Sequence, residues 1–409
     1  MPAEIQSHAN GDVRPGLPPV TPPSGKFIIQ LFLVPGLIVV ATVGVLIVVV
    51  AWVSRPYRAD VLLADLRNSN PDVRWRAAEH LAQILPRDCK EDAPRLAFDA
   101  KFALDLAEEM RKAIKTEEDM LVELGGKSRE ERPKDFEKLD AQQNLVRFLC
   151  GSLGFFNVPV TAPVLCEIAS KQHPPDDKVL LERRQLAIMA LGNLGNNRQY
   201  FARQPEPRRQ EILNQLRQLS DADGERGKWA KVALDFLTDG EPMGVETALV
   251  VCTKAEDPYM RKLAALALSF WDDPEADDAL DALTYDDGHG SEADRQATYQ
   301  REIRYHAVVA LARRGSKGFE KHPRWLDTLG EMLDEEGQLK NFQIRVDNKD
   351  VPDETAARAA VHDALNGLAE LHRKQPSLDL ERFRPAIEKL SNSPNEALRD
   401  EARRVLSDW

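Results

Sequence analysis

The chain of 409 residues carries 55 Lys and Arg against 67 Asp and Glu, which gives a formal net charge of −12. This acidic balance excludes the positive field with which general nucleic-acid binders neutralise phosphates. Because a single hydrophobic core stops growing at about 250–300 residues, we expect either several domains or a repeat array. The four cysteines lie far apart without paired metal-ligand spacing, which indicates buried thiols in a reducing compartment (Cys89, Cys150, Cys166 and Cys252).

The N-terminal segment, residues 1–26, is rich in proline and poor in apolar residues, as in GDVRPGLPPVTPPSG. Such a composition cannot bury enough apolar surface to offset the entropy that is lost on folding. The sequence therefore predicts a disordered tail over residues 1–26.

Residues 27–54 carry no charge between Lys26 and Arg55. As a helix they would reach about 40 Å, enough to span the ~30 Å hydrocarbon core with some tilt. The alternative is a cleaved signal peptide, whose apolar region is usually about 7–15 residues long and ends at a small-residue cleavage site. Here the apolar run is longer and ends in AWVSRPY, so we expect an uncleaved transmembrane helix.

The basic residues that flank this span indicate its orientation. Arg14 and Lys26 precede it, whereas four arginines follow it, namely Arg55, Arg58, Arg67 and Arg74. Because the flank richer in Lys and Arg tends to remain cytoplasmic, we expect a single-pass membrane protein with a cytoplasmic body. The opposite topology would place the body in the periplasm.

From residue 57 onward a helical motif recurs, in which an arginine is followed by a small residue three positions later and a leucine seven positions later. In NPDVRWRAAEHL these are Arg74, Ala77 and Leu81. Close copies begin at Arg261, Arg304 and Arg399, and weaker ones at Arg147, Arg184 and Arg358. In the weaker copies Val361 takes the small position after Arg358, and Leu153 stands in for the last position after Arg147. An eighth helix has Ala230 in place of the arginine. Positions three and seven apart share one helix face, so each copy places a small residue and a leucine on the same stripe.

A second amphipathic segment lies between successive copies, for example GVETALVVCTKA before the Arg261 unit. The turns SNPD, EDPY and SPNE supply an N-cap residue and a proline at or near the start of the next helix. Each unit is therefore a helical hairpin, and such hairpins must stack to bury their apolar faces. The sequence predicts an all-α fold, an α-solenoid of about eight hairpins over residues 57–409.

These units resemble HEAT repeats, including the HEAT-like repeats named after phycobilisome lyases, whose usual text is D-P-x-V-R-x-x-A-A-x-x-L. DPYMRKLAALAL and NPDVRWRAAEHL carry the resemblance most clearly, and it covers most of residues 57–409. It implies a protein-binding scaffold, and less often an enzyme subunit. Three insertions depart from the pattern, at residues 87–140, 286–298 and 336–354.

The sequence contains no nucleophile elbow and no His pair at metallohydrolase spacing, so we expect neither an enzyme nor a cofactor. One polar insertion, YDDGHGSEAD, gathers Asp286, Asp287 and His289, which are candidate ligands for a divalent ion. Their spacing does not follow that of a calcium loop, so the insertion also fits an exposed connection.

The stretch between Trp271 and Arg295 contains ten Asp or Glu and no Lys or Arg. A solvated helix face explains such a run, but mutual repulsion among the charges also favours a basic partner that neutralises them. We therefore expect an acidic docking patch at Asp277, Asp278 and Asp281 for a basic segment of a partner protein.

Together these features predict a monomeric, membrane-anchored helical-repeat scaffold that binds a protein partner through its solenoid surface, and no nucleic acid. The alternatives are an enzyme or enzyme subunit related to the lyase-type repeat proteins, and a periplasmic assembly factor.

Overall fold

A computed structural model describes residues 36–46, 58–90, 95–172, 177–271, 276–285 and 293–409, with the single positions 26 and 33, and in 293–299 only the backbone. The chain divides into two compact units, Met1–Tyr57 and Arg58–Trp409. In the first unit residues 36–46 are helical, with exposed apolar side chains such as Leu37 and Val40. Within the described ranges, no helix has both the length and the apolar character that a bilayer span requires. Most of the predicted tail (1–26) and span (27–54) lies outside these ranges, so both stay predictions.

The second unit is helical almost throughout, which confirms the all-α prediction. Its helices are α1 (Ala59–Leu66), α2 (Pro71–Asp88), α3 (Ala100–Leu124), α4 (Pro133–Leu153), α5 (Ala162–Ser170), α6 (Lys178–Arg203), α7 (Glu206–Ser220), α8 (Glu225–Asp239), α9 (Val245–Cys252), α10 (Pro258–Leu268), α11 (Ala276–Thr284), α12 (Ala293–Arg314), α13 (Pro323–Met332), α14 (Glu335–Asn341), α15 (Glu354–Lys374), α16 (Arg384–Leu390) and α17 (Glu396–Asp408). Short 3₁₀ turns lie at Pro159–Thr161, Lys317–Glu320 and Glu381–Phe383.

Seven of the described helices pack side by side, each against the next, in the order α2, α4, α6, α10, α12, α15 and α17. We call this arrangement the helix row. Each of its members carries one copy of the arginine motif. Shorter helices cover the row: α5 packs on α6, α9 on α10, α11 on α12 and α16 on α17. The motif therefore marks the helices of one layer.

The eighth copy, which has Ala230 in place of the arginine, lies on α8. This helix packs mainly against α7 and the 3₁₀ turn Pro159–Thr161, while α6 contacts α10 directly. The α7–α8 hairpin is also tied to α3, because Arg226 Nη1 lies 2.7 Å from Asp105 Oδ1 and the Arg111 guanidinium lies 4.5 Å from the centre of the Trp229 ring. The α7–α8 hairpin thus lies between two row helices along the chain but is not itself part of the row.

The small residues of the motif are buried where row helices meet. Ala264 and Ala307 are both fully buried, which confirms the predicted helix face. Glycines allow still closer approach: a Cβ added to Gly154 would lie 2.5 Å from the Cα of Ala190, and one added to Gly192 would lie 3.3 Å from the Cα of Ala267. Small side chains therefore set the spacing of the row.

Four of the seven motif arginines join a row helix to the end of the preceding helix or to the connection that follows it. In four units the side chain donates to a backbone carbonyl at or just beyond the end of the preceding helix: Arg74 to Leu66 (3.1 Å), Arg184 to Ala169 (2.8 Å), Arg261 to Ala255 and Glu256 (2.9 Å each), and Arg399 to Ser393 (3.2 Å). Leu66 and Ala169 lie in the last turn of a helix, where carbonyls lack donors within the helix, so Arg74 and Arg184 cap these helices and complement their dipoles. Arg261 and Arg399 instead donate to carbonyls of the connecting turns.

The remaining motif arginines, Arg147, Arg304 and Arg358, follow the three predicted insertions. They pair with carboxylates instead, namely those of Glu182, Glu331 and Glu354. The change from carbonyl to carboxylate partners thus coincides with the insertions. The predicted N-caps are confirmed, because the side chains of Asn70, Asp257 and Asn395 accept from backbone N–H groups of the helices that follow.

The insertion at residues 336–354 contains an antiparallel hairpin, β1 (Gln343–Val346) and β2 (Lys349–Pro352). Its turn residues Asp347 and Asn348 have φ of 49° and 61°, the left-handed values that a two-residue hairpin turn requires. Ile344 and Val346 are exposed on it. The sequence pattern predicts an enlarged connection here but no strands.

We predict that Ala264→Leu destabilises the chain by about 1–3 kcal/mol, because the larger side chain overpacks a fully buried helix contact. The measurement is the urea midpoint of unfolding, followed by circular dichroism. Ala359→Leu is the matched control, since Ala359 is exposed on α15. The urea midpoint of this variant should equal that of the unmodified chain. Equal midpoints for the two variants would contradict the packing of the row.

Candidate functional site

A groove of about 350 Å³ lies between α4 and α6, two neighbours in the helix row. Its polar lining comes from α4 and α6 alone, namely Asp140, Gln143, Asn144, Arg147, Glu182 and Arg183. On α6 the exposed or half-buried residues Val179, Glu182, Leu186 and Met189 lie three or four positions apart, which places them on one face of the helix. The groove therefore opens on the side of the row that faces solvent.

A buried ion pair lies beside this groove. Arg183 Nη2 donates to Glu117 Oε2 at 2.5 Å, and the two side chains are only 7% and 1% exposed. Burial raises the pKa of the Glu117 carboxyl, while Arg183 and a hydrogen bond from Gln143 act in the opposite direction. Desolvating two charges is costly, so a buried pair is weak evidence for stability and marks a site that merits a functional explanation.

Three helices hold the pair in place. Glu117 lies on α3, and Gln142 of α4 donates to the backbone carbonyl of Ala113 on α3 at 2.7 Å. The Cys150 thiol of α4 lies 3.9 Å from the backbone carbonyl of Arg183 on α6. The predicted insertion at residues 87–140 thus supplies α3 and with it one partner of the pair.

The charges that line the groove are paired with one another or with nearby residues. Arg147 Nε lies 3.1 Å from Glu182 Oε1, so this ion pair links α4 to α6. Asp140 accepts two hydrogen bonds from Arg129, at 2.7 and 2.9 Å. A second cavity of about 30 Å³, the volume of about one water molecule, shares Arg183 with the groove.

The ion pair was missed in the sequence, although the spacing of apolar residues carries a signal for it. Glu117 follows Met110 and Ala113 at helical spacing on a buried stripe of α3. Arg183 precedes the buried motif alanine Ala187 by four positions, which places both on one helix face. A charged residue on an otherwise apolar stripe is the feature that could have identified each partner.

Polar contacts also connect other neighbours in the row. Besides Arg147–Glu182 they are Gln185–Asp257 (2.7 Å, α6 to the N-cap of α10), Lys262–Glu302 (2.8 Å, α10 to α12), Arg313–Asp363 (2.9 Å, α12 to α15) and Arg404–Asn366 (3.1 Å, α17 to α15). We call these contacts the cross-row bridges. They link each row helix from α4 to α17 to the next and so restrict its rotation.

The three predicted docking residues lie on α11, and two of them are engaged within the chain. Asp277 Oδ1 lies 2.8 Å from Nε of Arg314, whose side chain is 4% exposed. Asp281 accepts from Trp325 Nε1 at 3.2 Å and lies 4.0 Å from His322 Nδ1. Asp278 is exposed. Asp277 and Asp281 therefore have structural partners, and only Asp278 is displayed as the acidic-patch prediction requires.

The candidate metal ligands Asp286, Asp287 and His289 lie outside the described residues. Elsewhere in the described ranges, no group of three or more His, Cys, Asp or Glu side chains is arranged to hold a metal ion. The metal-site prediction for these three residues stays a prediction.

The cysteines are free thiols, and all except the half-buried Cys166 are buried. Burial raises the pKa of Cys150 and of Cys166 to about 12 each, and raises those of Cys89 and Cys252 as well. The thiolate is the reactive form, and for a pKa near 12 it is on the order of 10⁻⁴ of the total at pH 8. The burial of these thiols and their raised pKa values both indicate unreactive side chains.

We predict that a thiol reagent such as Ellman's reagent modifies the native chain only slowly at pH 8, because few thiolates are present and their access is restricted. All four cysteines should react at once after denaturation. Absorbance of the released thiol reports both rates. Rapid stoichiometric reaction of the native chain would contradict the burial of these thiols.

We also predict that Glu117→Gln destabilises the chain by about 3–5 kcal/mol, because Arg183 would remain buried without a counter-charge. Glu118→Gln is the matched control: Glu118 is exposed and pairs with Lys171 at 2.8 Å, so its loss should change stability by no more than about 1 kcal/mol. The urea midpoint of unfolding measures the stability of each variant. A double variant, Glu117→Leu with Arg183→Met, should lose less stability than Glu117→Gln.

No protein-family model and no curated protein matches the chain. Among the solved structures that match, one is described as the crystal structure of an engineered protein from the Northeast Structural Genomics Consortium. It is 16% identical, the match covers 86% of this chain and 88% of the other, and the TM-score is 0.26. At that score the likeness carries no argument about fold or function.

Proposed function

We propose that the chain is a membrane-anchored scaffold, a HEAT-like α-solenoid whose helix row binds a protein partner. The observation that supports this most is the row itself, in which seven helices that share one sequence motif pack in succession. Stacked helical units of this kind form extended surfaces on which a partner can be held at several points. A membrane segment over residues 27–54 would keep that surface at a bilayer.

The solvent-facing side of the row has the composition of a binding surface. Met189 on α6 is 44% exposed, Tyr259 and Leu266 are half-buried on α10, and Phe270 is half-buried just after it. Aromatic and methionine side chains are enriched at protein interfaces and often contribute most to affinity. The cross-row bridges would hold these side chains in fixed positions, so binding would need little rearrangement of the helices.

The partner surface can be tested by photo-crosslinking of the full chain in its native membranes. A photoreactive amino acid at Met189 on the row should give a crosslinked product of defined mass. The same amino acid at Val251 is the matched control, because Val251 is similarly exposed, at 48%, but lies on the covering helix α9. Products of equal yield at both positions, or at neither, would contradict partner binding by the row.

The anchor and its orientation are tested in the same membranes. We expect the full chain to stay in the pellet after an alkaline carbonate wash, since a spanning helix is not released by charge neutralisation. A C-terminal alkaline phosphatase fusion should be inactive if the body is cytoplasmic. Release into the wash would contradict the anchor, and phosphatase activity would favour the periplasmic alternative.

A further inference from the structure

Arg183 is buried but makes few hydrogen bonds for a guanidinium. Its Nη2 bonds to Glu117, and in the described part of the chain its side chain has no other hydrogen-bond acceptor. A guanidinium carries five N–H donors, and no Arg183 nitrogen is a fully buried donor without a partner, so the donors that Glu117 does not engage are open to the cavities that Arg183 lines. Arg183 borders both the α4–α6 groove and the adjoining small cavity. An acceptor for its remaining N–H groups can therefore come from a molecule in the groove.

The charge around the two cavities favours an anion, although the whole chain is acidic. The charged residues that line them, together with their ion-pair partners, are five cations and four anions: Arg129, Arg147, Lys171, Arg183 and Arg184 against Glu117, Glu118, Asp140 and Glu182. The excess comes from Arg184, whose Nε donates to the neutral carbonyl of Ala169. One added negative charge would balance the site.

The size of the groove and its amides suit a small polar group. About 350 Å³ falls within the range of small-molecule sites in proteins, roughly 300–1,000 Å³. Gln143 and Asn144 lie on its α4 wall, and amide side chains can donate to or accept from the rest of a ligand. A planar guanidinium matches the geometry of a carboxylate and forms stronger hydrogen bonds with it than with a neutral acceptor.

We propose that the α4–α6 groove is a binding site for a ligand carboxylate, which accepts hydrogen bonds from the remaining N–H groups of Arg183. Gln143 and Asn144 orient the polar remainder of the ligand. The carboxylate belongs to a free small acid or to an acidic side chain of a peptide, and both present the same chemistry to Arg183. The site is independent of the proposed scaffold function, because a small acid can occupy it without any partner protein.

The first experiment is isothermal titration calorimetry of the full chain in detergent, with glutarate as the probe and glutaramide as its neutral counterpart. Glutarate should bind saturably and at least about tenfold more tightly than glutaramide, the difference expected for a charged hydrogen bond. A capped tripeptide with a central aspartate, compared with its asparagine counterpart, forms the second arm. Tighter binding of the aspartate peptide than of glutarate assigns the carboxylate to a peptide, and the reverse order assigns it to a small acid.

Variants locate the binding in the groove. Arg183→Gln should weaken binding of the preferred probe at least about tenfold, since a neutral amide replaces the guanidinium. Asn144→Trp should do the same by filling the groove without replacing either member of the ion pair, so the test stands even if Arg183→Gln does not fold. Glu137→Trp is the matched control, because Glu137 is exposed on α4 and does not line the groove.

The proposal is overturned if neither glutarate nor the aspartate peptide binds, or if Asn144→Trp binds the probes as tightly as the unmodified chain. It is also overturned if the neutral counterparts bind equally well. Failure of photo-crosslinking at Met189 would leave these binding constants unchanged, so the two proposals fail separately.

Discussion

Each helix of the row must bury apolar surface on both sides at once, and this double contact is the constraint on which the rest of the second unit depends. Leucine-sized residues at every contact would hold the helices apart, so alanine and glycine recur at the closest points. The approach of Gly154 to Ala190 is the tightest example, because even one added methyl group would overlap the α6 backbone. Close packing then makes burial on both sides compatible with short, exposed connections.

Polar side chains help to set the relative orientation of neighbouring helices, which close packing alone does not determine. Arg261 ties its helix to the preceding turn by donating to two backbone carbonyls, while the cross-row bridges link neighbouring row helices. The Glu117–Arg183 pair has a different character, because it is buried and makes few further bonds. A hydrophobic pair of similar volume would serve stability as well or better. Retaining charges there is more easily understood if Arg183 has a ligand.

Much of the fold follows from the sequence because its signals are local. The three- and seven-residue spacings identify the helix face that carries Ala264, and the N-caps Asn70, Asp257 and Asn395 come from short turn motifs. The strands at 343–352 could not be predicted in this way. Their turn, Asp347-Asn348, lacks the glycine that usually marks such hairpins, and the flanking runs are only four residues long.

The candidate site depends on contacts between distant residues, and local patterns do not specify these. Glu117 and Arg183 lie on α3 and α6, and the sequence of neither helix indicates that it contacts the other. Lys262 shows the same limit, because its ammonium group lies 2.8 Å from Glu302 on α12, a contact that the sequence around neither residue indicates. Charge density likewise marks Asp277 and Asp281 as surface residues, although Arg314 and Trp325 bind them.

The α7–α8 hairpin has a consequence for how the chain folds. The contact of α6 with α10 spans the 54 residues between Arg203 and Pro258, whereas 44 residues separate α2 from its neighbour α4. Because the entropy of closing a loop grows only with the logarithm of its length, the longer connection costs only about 0.2 kcal/mol more. The hairpin can therefore lie between two row helices in sequence at little entropic cost to the folding of the row.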